Sequence, residues 1–72
     1  MPRTYNMRSM RTYSDYVEIC HTNGSIVWAD MTHDGLWFVW LTEGFGSGKL
    51  PVGVYDYEKA ISVMLDISDA LM

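Results

Sequence analysis

Cysteine is almost missing from this 72-residue sequence: Cys20 stands alone, so no disulfide within the chain can staple the fold. A reducing compartment is the natural setting for such a chain. Long apolar runs are missing as well. The longest, Leu36–Leu41, falls far short of the roughly 20 residues that a membrane helix needs. Positive charge is scarce, with five Lys and Arg against nine Asp and Glu, a net charge of −4 and a pI near 4.7. That balance argues against indiscriminate attraction to nucleic acid or to anionic lipid. No apolar stretch follows the first arginines, so no secretory leader is expected and the cytoplasm is the expected location. Length excludes more. A chain this short buries only about 60% of the surface that its unfolded form exposes, which leaves no room for a doubly wound nucleotide fold or a barrel.

What is present is apolar and aromatic. Hydrophobic residues make up 49% of the chain and aromatic residues 14%, too many for a disordered segment. The charges are segregated. Arg3, Arg8 and Arg11 give residues 1–11 a charge of +3, whereas from Thr12 onward nine acids face only Lys49 and Lys59, a balance of −7. Residues 1–12 show neither strand nor helix periodicity and read as a flexible basic arm ahead of one domain, residues 13–72.

Within that domain, Tyr13–His21 (YSDYVEICH), Ile26–His33 (IVWADMTH) and Leu36–Thr42 (LWFVWLT) are rich in β-formers. Asn23-Gly24 and Asp34-Gly35 separate them, the dipeptides of tight hairpin turns. Three runs and two turns make an antiparallel meander. Leu50–Tyr55 (LPVGVY) adds a short fourth strand that Pro51 confines to an edge. From Asp56, a good N-cap, a helix runs toward the C-terminus. Ile61, Met64, Leu65, Ser68 and Leu71 fall on one face, led in by Tyr57. The expected fold class is therefore α+β: a three- to four-stranded antiparallel β-meander with one C-terminal helix packed on one face.

Two-residue turns would set the register so that Ile19 opposes Trp28 and Met31 opposes Phe38. One face then carries Val17, Ile19, Ile26, Trp28, Trp37, Val39 and Leu41, a match for the helix stripe. The other carries Tyr16, Glu18, Cys20, Val27, Ala29, Met31, Phe38 and Trp40. A single helix covers one face only, yet the second is also largely apolar, where an antiparallel sheet normally turns polar residues to water. Tyr16, Met31, Phe38 and Trp40 are thus the candidate anchors of an interaction surface. The folded-back arm, a second copy of the chain or a different protein would cover them.

Reaction chemistry finds little support. The loop GFGSGK (44–49) lacks the phosphate-loop spacing, since Glu43 stands where the first glycine belongs and Leu50 follows Lys49. A dinucleotide fingerprint would need a third glycine at Lys49. Cys20 and His21 are strand neighbours pointing to opposite faces, His33 sits by a turn, and no metal-ligand spacing occurs. We therefore expect no enzyme, no cofactor and no metal.

The stretch VGVYDYEKAISVMLD (52–66) resembles the strand-to-helix junction of plant AP2-type domains and of phage-integrase arm-binding domains, through Gly53, Tyr55, Asp56, Glu58 or Lys59, and Ala60. That resemblance implies a DNA-binding domain, here one resting on Arg3, Arg8 and Arg11. The sequence departs from the pattern where those families place Arg and Lys on the outer sheet face, because residues 13–42 contain neither. In size, charge and architecture the chain resembles the small acidic phage-encoded inhibitors of the anti-CRISPR type. This second resemblance implies a non-enzymatic protein that blocks a nucleic-acid-handling complex by steric occlusion. Its partner-binding residues would be Tyr16, Met31, Phe38 and Trp40 on the sheet, with Asp56, Glu58, Asp66 and Asp69 along the helix steering encounter with a basic surface.

Overall fold

The computed structural model describes residues 7–44 and 48–72. Its elements run β1 (Arg8–Thr12), β2 (Tyr16–His21), β3 (Ile26–Met31), β4 (Trp37–Thr42), β5 (Leu50–Tyr55) and α1 (Tyr57–Leu71). The strands form one antiparallel sheet in chain order, and the helix lies across one face. The α+β class is as expected, but the sheet has five strands rather than three or four.

The added strand is β1. Residues 8–12 were expected in a flexible arm, because RSMRT shows neither strand nor helix period; in the structure all five side chains are exposed. Backbone pairing holds it instead, from Arg8 opposite His21 to Thr12 opposite Val17. At one end Thr22 N–H donates to the Met7 carbonyl, and Met7 N–H donates back to Thr22 Oγ1. At the other end Tyr13 N–H donates to the Tyr16 carbonyl. Residues 1–6 of the expected arm lie outside the described residues, as do residues 45–47 of the glycine-rich loop.

Both expected hairpins form, with turns one residue longer than the two-residue kind. His21 N–H donates to Ser25 O and Gly24 N–H to His21 O; Thr32 N–H donates to Leu36 O and Gly35 N–H to Thr32 O. Gly24 (φ 93°) and Gly35 (φ 86°) take the left-handed position that closes a three-residue loop. The consequence reaches the whole of β3. Ile19 opposes Val27 rather than Trp28, and Asp30 rather than Met31 opposes Phe38. A shift of one residue exchanges the two faces of a strand. Val27 and Ala29 therefore point to the helix, while Ile26, Trp28 and Asp30 point away.

The helix-side face is the core. Val17, Ile19, Val27, Ala29 and Val39 are buried from the sheet, with Ala60 and Met64 from α1. Each fully buried aliphatic side chain stabilises the fold by roughly 1.5–3 kcal/mol relative to exposure. Ala60 and Ala29 are small, which suits close packing of helix and sheet. Ile61, Val63, Ile67 and Leu71 pack around the margin, whereas Leu65, expected in the stripe, is exposed. Trp37 closes one end of the core, its ring edge-on to Tyr57 at 5.1 Å. Gly53 makes room for a neighbour, since a Cβ there would stand 2.7 Å from Cζ of Tyr55. Asp56 caps α1 as expected, its Oδ1 accepting from Lys59 N–H at 2.8 Å.

Candidate outer-face site

The face opposite the helix presents side chains in cross-strand rows. The central row runs Arg11, Glu18, Trp28, Trp40, Pro51 from β1 to β5. The next row holds Tyr16, Asp30, Phe38 and Val54. Trp40 is the hub. Its ring stacks on Phe38 at 4.3 Å and lies nearly parallel to Trp28 at 6.4 Å, and the Lys49 ammonium sits 4.4 Å from its centroid. Aromatic stacking and a cation over the indole are each worth about 1 kcal/mol. Trp28, Phe38 and Trp40 are half-buried. No element among the described residues lies over this face.

Polar groups border the rings. The Glu18 carboxylate meets Cys20 Sγ at 3.3 Å, and Tyr16 stands two residues away on the same face. Burial, and then Glu18, push the Tyr16 phenol up to about 12. The same two causes push the Cys20 thiol up, with Arg11 pulling weakly the other way. A raised thiol pKa disfavours the reactive thiolate. At the edge, the Thr32 hydroxyl holds the Asp34 carboxyl below the usual range.

The expected anchors Tyr16, Phe38 and Trp40 do share this face. Met31 does not: it opposes Trp37, on the helix side of the sheet at its open end, where it is 45% exposed. The longer turn is the reason, and it puts Trp28 in the place foreseen for Met31. The sequence signal for Trp28 was the alternation of β3 itself, which the two-residue turn assigned to the wrong side.

The helix acids divide in two. Asp56 is engaged as the N-cap. Asp69 is engaged by Arg8, whose Nη1 lies 2.6 Å from its Oδ1 and also donates to Ser68 Oγ at 2.8 Å. Glu58 and Asp66 are exposed. The arginines foreseen for DNA divide likewise: Arg8 is held by the helix, Arg11 faces Glu18 across the β1–β2 pair, and Arg3 lies outside the described residues.

On the helix side, His21 Nε2 lies 2.9 Å from Ser68 Oγ, the hydroxyl that Arg8 reaches. A Ser–His contact of that length is where a nucleophile pair would begin. Here Ser68 is fully buried and already accepts from a guanidinium, so the contact pins β1, β2 and α1 together. Burial, and then the charge of Arg8, hold the His21 pKa below its ordinary value. Among the described residues no group of three His, Cys, Asp or Glu could hold a metal ion, and no helix is long and apolar enough to cross a membrane. Comparison with family models, with curated protein sequences and with solved structures finds no match for this chain.

Proposed function

We propose that this chain is a non-enzymatic protein-binding module that acts by covering a site on another protein with its outer sheet face. The observation that supports this most is the aromatic cluster of Trp28, Trp40 and Phe38, stacked on a face that no described element covers. Tryptophan and tyrosine carry a large share of the energy in protein interfaces, because they bury much area at little entropic cost. Rings that support one another before binding lose still less freedom on contact. Tyr16, Trp28, Phe38 and Trp40 are the anchors in this reading. Glu58 and Asp66, with the acids at the sheet end, steer encounter.

The finer form of the proposal is an inhibitor encoded by a phage or mobile element, anti-CRISPR-like, that occludes a nucleic-acid-handling complex in the host cytoplasm. Small size, acidic charge and an antiparallel sheet with one helix support it. The test is plasmid transformation of bacteria that carry an active RNA-guided interference system, across a panel of such systems. Expression of the wild type should restore transformation by a targeted plasmid in at least one system, and Trp40→Lys should not. Absence of rescue in every system rejects the inhibitor, and equal rescue by Trp40→Lys rejects the outer face as the working surface.

A further inference from the structure

The position of Lys49 says what kind of partner the outer face suits. Its ammonium lies over the Trp40 indole, so the face already receives a cation, supplied by the chain itself. Carboxylates stand in the same two rows as the rings. Glu18 is the cross-strand neighbour of Trp28, and Asp30 is the neighbour of both Tyr16 and Phe38. Among the described residues neither carboxylate forms an ion pair. Asp15 and Asp34 extend the negative charge past the end of the sheet at which Asp30 lies. Arg11 and Lys49, the two cations near the face, sit toward its two edges, next to β2 and on the approach to β5.

An indole flanked by carboxylates is the chemistry that receives a guanidinium or an ammonium: the ring face attracts the cation, and the carboxylate takes its N–H groups. We infer that the outer face docks a cationic protein segment, one that presents arginine or lysine side chains, and that Lys49 holds the Trp40 face in competition with it. The inference rests on the reading of this face as the working surface and names the partner's chemistry. A second copy of this chain is the poorer occupant, since it would bring its own acids against the same carboxylates.

The competition gives the test its sign. The probe is an acetylated, amidated hexa-arginine peptide, titrated into protein whose tryptophan side chains carry nitrogen-15. Trp37, only 6% exposed and on the helix side, serves as the internal control for Trp28 and Trp40. The indole N–H signals of Trp28 and Trp40 should move and that of Trp37 should stay. Lys49→Ala should bind the peptide roughly two- to fivefold more tightly, the worth of one displaced cation–π contact. Trp40→Ala should bind about fivefold more weakly, and Ser62→Ala, on the exposed side of the helix, should bind like wild type. Unchanged or weaker binding by Lys49→Ala overturns the inference, as does an equal shift of Trp37 or an equal response to hexaglutamate. A dimer in sedimentation at the working concentration, with Trp28 and Trp40 insensitive to the peptide, overturns it in favour of a second copy. If plasmid rescue depends on Trp40 while the peptide fails, the partner chemistry alone is wrong. If neither depends on Trp40, the site itself is wrong.

Discussion

The two faces of one sheet are built from the same strands and solve the same problem differently. Toward the helix, the residues are aliphatic and small: Val17, Ile19, Val27, Ala29 and Val39, buried beneath Ala60 and Met64. Away from it, they are aromatic and polar: Tyr16, Glu18, Trp28, Asp30, Phe38 and Trp40, half-buried or exposed. The inner face obtains its dryness from another element. The outer face obtains part of it from its own stacked rings, and keeps its carboxylates at the surface. Burial on one side thus serves stability, and partial burial on the other leaves area to be covered by something else.

The sharpest way to break this comparison is to make a cavity under the helix. Met64→Ala should cost about 2–5 kcal/mol in urea unfolding, out of a total of roughly 4–11 kcal/mol for a chain this long. A cost well under 1 kcal/mol would mean that the helix side is not the core. Next is the buried polar knot of His21, Ser68 and Arg8. His21 has its folded pKa held below the ordinary value of about 6.5, so the unfolded chain binds its proton first as pH falls. Its stabilising effect is complete above about pH 6.5 and is lost as pH falls through the folded value. Urea midpoints measured from pH 8 to pH 5 should decline for wild type, and more gently for His21→Gln. A still smaller effect is expected at the second turn. Gly35→Ala meets no atom within 4 Å, so its cost, about 1 kcal/mol, would come from the left-handed backbone alone. Gly35→Asn should recover part of it, because Asn tolerates that conformation.

Much of the inner face was legible because β2 alternates cleanly, because β4 keeps its sides when both turns lengthen by one residue, and because Asp56 begins the helix. The sides of β3 were not. Asn23-Gly24 and Asp34-Gly35 mark a hairpin, but the same dipeptides serve a two-residue loop and a three-residue loop whose glycine is left-handed. Local sequence does not choose between them. Packing does: Val27 and Ala29 let the helix approach, while Trp28 on that side would hold it off. The one-residue difference removed Met31 from the outer face and brought Trp28 to it. β1 was illegible for another reason, since its five exposed residues carry no hydrophobic pattern, and backbone pairing with the Arg8–Asp69 contact defines it. The role of Asp69 within the fold depends on Arg8, a neighbour in space, which acidity alone does not reveal.

The most direct test of the central claim is a paired reading on Trp40→Lys, its urea midpoint and its plasmid rescue, taken beside wild type. The two-face account predicts a folded protein weakened by about 2–3 kcal/mol, the worth of its two ring contacts and of the Lys49 cation over its indole, with rescue abolished. A protein that unfolds with the change would make the outer face core, and one that keeps both stability and rescue would leave it no role in binding.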